Sequence, residues 1–322
     1  MRYAILLAAA AAAVALPSFL DSDQLAVFIL LGLAAMVVVG LSLLMGYAGQ
    51  ISLGQASFYA IGGYTAGLLA TAGAPPVLGL VAAPAVAAGF AAVVGIGLLR
   101  LRGHYLAFAT LAMQLILLSV LAQAEWAGGA IGLQGVPRFS IGGFELAEDI
   151  QYAYLTLGAL ALTLVVARNV VHSRAGRGLR ALATSETAAA ASGVPVGRYR
   201  LAVFALSAAF AGLAGGIYAF YLGYLGPGSF PVLLSIEYVV MAVVGGLGTI
   251  AGPVVGAAGI VLLVQLLNDL GTRPGMPSYA PSVLSYAVYA VLLVLVVLFL
   301  PRGIVPALGD LRARLGRGRE RR

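Results

Sequence analysis

The stretch Gln24-LAVFILLGLAAMVVVGLSLLMGYAGQISLGQASFYAIGGYTAGLLATAGAPPVLGLVAAPAVAAGFAAVVGIGL-Leu99 runs for 76 residues without an Asp, Glu, Lys, Arg or His. A bilayer core about 30 Å thick takes roughly 20 apolar residues per helical crossing, so this stretch holds about three crossings and their turns. The rest of the chain has the same character. Its 322 residues are 62% hydrophobic and 9% charged, against about a quarter charged in an ordinary soluble domain. A segment in lipid must satisfy its own backbone hydrogen bonds, which leaves helices or closed barrels. The apolar runs lack the alternation that barrel strands need. The expected fold class is therefore all-α, a polytopic helical bundle in a membrane.

Several chemistries are excluded. The chain has no Cys and two histidines, His104 and His172, so disulfides, thiolate metal sites and cysteine nucleophiles are ruled out and no metal site is expected. Lysine is also absent. A phosphate-cradling G-x-x-x-x-G-K-[ST] loop depends on its Lys to reach the nucleotide, so any ATP dependence has to come from a partner. No paired His and acids stand at catalytic spacing, which argues against an intramembrane enzyme, and neither a cofactor nor nucleic acid is expected.

Hydropathy divides the chain into ten crossings, at about 3–20, 25–45, 50–72, 76–99, 105–123, 151–171, 201–224, 232–249, 253–270 and 283–300. With the N-terminus in the cytoplasm, sixteen arginines fall on one side, from Arg2 through Arg100, Arg102, Arg168, Arg174, Arg177, Arg180, Arg198, Arg200 and Arg302 to the six of the tail, and only Arg138 and Arg273 on the other. That is the asymmetry of the positive-inside rule, and it places both termini in the cytoplasm. The acids Asp21, Asp23, Glu125, Glu145, Glu148, Asp149 and Asp269 lean outward. Residues 1–306 form one transmembrane domain with a cytoplasmic loop at 172–200, and 307–322 is a basic tail suited to anionic headgroups. Met1 to Leu20 also fits a cleaved signal peptide; it is read here as a retained first helix.

Glycine is the next signal. Two clusters, Gly46-Tyr-Ala-Gly49-Gln50-Ile-Ser52-Leu-Gly54-Gln55 and Gly245-Gly246-Leu-Gly248-Thr-Ile-Ala-Gly252-Pro253, combine glycines with polar residues or Pro at membrane depth. Such segments either make tight helical hairpins or line a wet path. Their shared Gly-x-x-Gly spacing hints at an internal repeat. Glu237 is the one formal charge far from a predicted helix end, and an acid at the bilayer centre costs about 2.5–3.5 kcal/mol on insertion scales. It either lines a cavity or sits in the first turn of its helix, stabilised by the helix dipole. Gln114 reads as interhelical glue. In the 172–200 loop, Thr184 or Ser185 caps a short helix that starts at Glu186, is filled by Ala and stops at Gly193 and Pro195. On its own, that pattern fits a connecting helix or an element that docks on a soluble partner.

Four collinear motifs make the chain recognisable: Gly46 to Phe58 with Gly62-Gly-Tyr64, Leu101-Arg-Gly-His-Tyr-Leu-Ala-Phe-Ala-Thr-Leu111, Gly128-Gly-Ala-Ile-Gly-Leu-Gln-Gly-Val-Pro137, and Ser235-Ile-Glu237 through Gly245 to Pro253. From about residue 25 to 305 the chain resembles the LivM-type permeases of branched-chain amino acid ABC importers. The resemblance implies a non-catalytic subunit of the bacterial cytoplasmic membrane. Its implied partners are a second related permease subunit, two cytoplasmic ATPase subunits and an extracytoplasmic solute-binding protein. It also implies that the loop before Phe204 is the coupling segment, with Arg180, Glu186, Gly193 and Arg198 as its candidate residues. Gln50, Ser52, Gln55, Glu237, Gly245, Gly246 and Gly248 are the candidates for the substrate pathway. Two departures stand out. Glu186 and Gly193 are seven residues apart where the importer pattern has six, and Ala127 precedes Gly128 where Thr is usual.

Related permeases with these motifs carry urea or short amides, and a self-contained secondary transporter or channel remains a rival from another class. Reconstitution of the chain alone separates the classes, since a secondary carrier or channel moves solute without an ATPase or a binding protein. Purified alone and reconstituted, the chain is expected to hydrolyse no ATP and to move no leucine against a gradient; uphill transport by the isolated chain would overturn the importer reading.

Overall fold

A computed structural model describes residues 13–101, 103–271, 291, 294 and 303–307. Ten helices follow along these residues: α1 (Ser22–Ser42), α2 (Gln55–Thr71), α3 (Pro76–Leu98), α4 (His104–Gln123), α5 (Asp149–His172), α6 (Arg174–Thr184), α7 (Glu186–Ala191), α8 (Val196–Leu222), α9 (Val232–Gly245) and α10 (Gly252–Gly271). A two-residue hairpin, β1 (Ser140–Ile141) with β2 (Phe144–Glu145), sits in the α4–α5 connection.

Seven of the helical segments are long and apolar enough to cross a membrane. These are α1 with its π turn Leu43–Tyr47, α3, α4, α5, α8, α9 with the short turn before it, and α10. Helix α2, with 17 residues, is shorter. The expected third crossing, 50–72, thus begins later than its hydropathy suggests. Gly49 takes a left-handed backbone (φ +64°), and the chain from Gln50 to Gly54 is not helical. Most of the expected first crossing lies outside the described residues, its described end being a 3-10 turn at Leu16–Phe19. Apart from residues 291 and 294, the tenth also lies outside them, as do Arg273 and the basic tail.

Helix α1 is the axis of the bundle. Apolar all round, it is buried on every face from Gly32 to Ser42, as a helix inside a core should be. Helices α5, α8, α9 and α10 pack around it. A second unit forms where α8 lies against α2 and α3. Small residues allow this approach: a Cβ at Gly62 would run into the Gly212 backbone, and one at Gly215 into the carbonyl of Tyr59. Lipid tails are as apolar as Leu, so close van der Waals contact between backbones contributes much of the helix association.

Charge is sorted to the two ends. Asp21, Glu148 and Asp269 lie at the ends of α1, α5 and α10 that share one rim, with Arg138 beside them, whereas Arg168, Arg174, Arg177, Arg180 and Arg198 lie at the opposite end. Inserting a β-branched side chain at the α2–α8 crossing should strain it. Gly62→Val is expected to cost at least the ~1–3 kcal/mol of an overpacked core, read as a lower melting temperature in detergent. Gly89→Val, on an open face of α3, should leave melting nearly unchanged; equal effects would rule out close packing as the cause.

Candidate functional site

Between α1, α9 and α10 lies a cavity of about 330 Å³, closed on one side by Tyr59 of α2 and Tyr218 of α8. Its walls are aliphatic, with Val27, Leu30, Leu234, Met241, Ile260 and Val264 among them. Polar atoms enter at a few points only, from Glu237, Ser229, Gln265 and Asn268 and from the rings of Tyr59, Tyr218 and Tyr238. Tyr59 anchors the aromatic side, its ring centroid 5.3 Å from Tyr218, 5.5 Å from Phe230 and 6.4 Å from Tyr238. A neighbouring cavity of about 540 Å³ shares Val27 and Gln265 with the first and reaches Asp23 and Asp269 at the acidic rim. An apolar pocket with few convergent polar groups is the usual form of a small-molecule site.

Glu237 owes its place to Pro231, which stops the preceding turn and lets α9 start at Val232. Glu237 therefore falls in the second turn of α9, past the reach of the helix dipole. It is half-buried and lines the cavity.

The other polar pathway candidates lie elsewhere. Gln50 and Ser52 are buried in the non-helical entry to α2 and Gln55 in its first turn, all outside the cavity wall. The side chain of Gln55 is fully buried, and among the described residues neither its Oε1 nor its Nε2 has a hydrogen-bond partner; the same holds for Gln50 Oε1. Gln55 stands four residues before Tyr59, one helical turn away on the same face of α2. Gln114 of α4 closes a relay that holds this entry in place. The Ala56 amide donates to Ser235 Oγ (2.9 Å), the Ser235 hydroxyl donates to Gln114 Oε1 (2.6 Å), and Gln114 Nε2 donates to the carbonyls of Phe230 and Pro231 (3.4 and 3.3 Å). The Leu53 amide likewise donates to Thr110 Oγ1 (2.9 Å).

The glycine candidates form a hairpin. A Cβ at Gly245 would overlap Gly252, and one at Gly256 would overlap Met241, so α9 and α10 meet backbone to backbone. Gly246 and Gly248, at φ +113° and +74°, make the turn between them. The two glycine clusters, 200 residues apart in sequence, touch: a Cβ at Gly46 would strike the Gly248 amide.

At the arginine-rich end, α7 has the caps its residues imply. Ser185 Oγ accepts from the Ala188 amide (3.3 Å). Gly193, at φ +79°, ends the helix with Val194 N–H donating to the Ala189 carbonyl (3.0 Å). Arg180, Gly193 and Arg198 are exposed. Glu186 is clasped by Arg200 through two hydrogen bonds of 3.0 Å. With both side chains partly exposed, the pair is worth no more than about 1 kcal/mol, but it ties α7 to the start of α8.

Comparison with known proteins agrees with this architecture. The family model described as branched-chain amino acid transport system, permease component, matches residues 22–297. The chain belongs to this permease family. Over 310 residues it is 31% identical to the high-affinity branched-chain amino acid transport system permease protein LivM of Escherichia coli K12, covering 87% of this chain and 68% of that protein. The LivM of Salmonella typhimurium gives the same figures. A probable branched-chain amino acid transport permease protein LivM of Methanocaldococcus jannaschii is 26% identical over 160 residues, 48% of this chain and 46% of that one. No solved structure matches the chain at a significant level. The permease is a multi-pass membrane protein and a transport component.

Two parts of the permease site escape a reading of the sequence. Helix α6 buries Leu179 and Leu182 and exposes Arg174, Arg177 and Arg180; its helical spacing, with Ser173 as cap, was the available signal. Arg200 faces Glu186 only through the α7–α8 turn, which no local pattern reports. For the buried relay, Ser235→Ala should cost about 1–3 kcal/mol by leaving Gln114 and the Ala56 amide short of a partner. A double-mutant cycle with Gln114→Leu, read by thermal unfolding in detergent, should show coupling well above ~0.5 kcal/mol; additive losses would break the relay into unrelated contacts.

Proposed function

We propose that the permease passes leucine, isoleucine and valine from an extracytoplasmic binding protein to the cytoplasm of a bacterium, across its inner membrane, in an importer powered by two separate ATPase subunits. The observation that carries this reading is the half-buried carboxylate of Glu237 in a cavity of aliphatic walls. A branched-chain amino acid offers the complement of that surface, an aliphatic side chain and a single ammonium group. The names of the relatives support the same solute class.

In this reading the acidic rim faces outward and the arginine-rich end faces the cytoplasm, with ten crossings and both termini inside. Solute released by the binding protein enters past Asp23 and Asp269 and meets Glu237. It then moves along the face of α2 that carries Tyr59 and Gln55, toward Gln50 and Ser52 and the glycine turn of Gly245, Gly246 and Gly248. The buried, unpartnered amide of Gln55 supports that route, because a polar side chain without a partner in an apolar interior is costly unless something intermittently satisfies it. A second, related permease subunit completes the passage.

Energy arrives at the other end. Residues 172–200 are the coupling region, in which Arg180, Gly193 and Arg198 present the docking surface and the Glu186–Arg200 clasp holds α7 in register. Residues 1–306 form the transporting domain, and the basic tail at 307–322 lies against anionic headgroups. Binding selectivity rests mainly with the binding protein, so the membrane path is mildly polar and of low affinity.

The test is uptake in cells lacking the native chain and supplied with Glu237→Gln, a neutral side chain of the same size. Leucine, isoleucine and valine uptake should fall about tenfold, the effect of ~1.4 kcal/mol for losing a charge-assisted contact, at unchanged protein level. Unaltered uptake would remove Glu237 from the path. If the chain restores only urea uptake, the solute assignment fails while the fold stands.

A further inference from the structure

The two glycine clusters meet at one bond. Helix α1 ends in the π turn Leu43–Tyr47, a geometry common at functional positions in helices. From that turn the Tyr47 hydroxyl donates to the carbonyl of Gly248 at 2.6 Å. Tyr47 is buried, and Gly46 beside it leaves no room for a side chain between the π turn and Gly248.

Each side of this bond is closely packed. On one side, Thr249 Oγ1 donates to the Gly246 carbonyl (2.9 Å) and accepts from the Gly252 amide (3.0 Å), stapling the end of α9 to the start of α10. With the backbone contact at Gly245 and Gly256, the α9–α10 hairpin has to move as one piece. Helix α9 carries Glu237 eight residues above Gly245, about 12 Å along the axis. On the other side, Gly49 lies against Ala183 of α6, where a Cβ would reach the Ala183 Cα at 3.6 Å. Helix α6 also packs directly against the π turn that carries Tyr47. Tyr47 thus stands between the first helix of the coupling region and the hairpin that bears the cavity carboxylate.

We propose that Tyr47 is a positioning residue for transport: through its hydrogen bond to Gly248, a displacement of α6 is passed to the α9–α10 hairpin and so to Glu237. This rests on the assignment of α6 and α7 to coupling and of the cavity to the solute. Tyr47 touches no solute in this scheme. Its hydroxyl keeps the stroke of the ATPases from being lost as slack between α1 and the hairpin.

The experiment compares the wild type with Tyr47→Phe in the complete transporter, reconstituted in vesicles with its ATPases, second permease and binding protein. Leucine uptake and ATP hydrolysis are measured on the same vesicles. The Phe variant should assemble, melt within about 2 °C of the wild type and hydrolyse ATP at a similar rate. The number of leucines moved per ATP should fall about three- to tenfold, the scale of one lost hydrogen bond. Placing 4-aminophenylalanine at position 47, which restores an N–H donor there, should recover the ratio. An unchanged ratio overturns the proposal, and so does a parallel loss of assembly, melting temperature and hydrolysis, which marks a merely structural bond. A wild-type assembly without ATP-driven leucine uptake overturns the functional reading itself, and the role of Tyr47 with it.

Discussion

Away from water, every backbone N–H and C=O needs a partner within the protein, and the rest of this structure follows from how that demand is met where the helices break. At Gly49 to Gly54 and at Gly246 to Ala251 the helical ladder is interrupted inside an otherwise apolar bundle. Each break is repaired by a short hydroxyl side chain. Thr110 takes the Leu53 amide, Ser235 takes the Ala56 amide, and Thr249 bridges both ends of its own turn. The repairs come mainly from other helices, so they also set how α2, α4, α9 and α10 stand relative to one another.

That economy explains where polarity is allowed. In the middle of the bundle the polar groups are few, and Thr110, Ser235 and Gln114 among them are committed to the repairs. Glu237 stands with its tyrosines on one side of α9, and below it lie the Gln55 amide and the Gln50 Oε1, which have no hydrogen-bond partner among the described residues. A transporter needs a path that is wet enough to admit a zwitterion and dry enough to release it. In the proposed path, a half-buried carboxylate opposite aliphatic walls, followed by scattered amides, meets both requirements. The other formal charges of the described residues are held at the two ends, where water solvates them.

The close helix contacts have a related origin. Glycine at positions 62, 212 and 215 brings α2 and α8 into backbone contact, and glycine at 245, 252 and 256 does the same for α9 and α10. These pairs make two stiff units, joined through α1. In the proposed coupling, Tyr47, at the π turn that ends α1, passes a displacement of α6 to the α9–α10 unit.

The helical class, most of the spans and the sorting of charge were legible in the amino-acid sequence, because burial in lipid acts on composition along one segment at a time. So were the caps of α7, since Ser185 and Gly193 act on their own helix. The entry to α2 was not: hydropathy scores Gln50 to Gly54 like the helix that follows, and only hydrogen bonds to Thr110 and Ser235, far away in the chain, make a non-helical path affordable there. Nor did any local pattern announce that Glu186 pairs with Arg200, that Gln55 lies a turn below Tyr59 with no partner, or that Gly46 meets Gly248. The sequence by itself determined that this chain is a helical membrane protein with unlike ends. Tertiary structure alone decided which breaks, glycines and polar groups face one another, because those choices depend on contacts between segments that are independent until the helices pack.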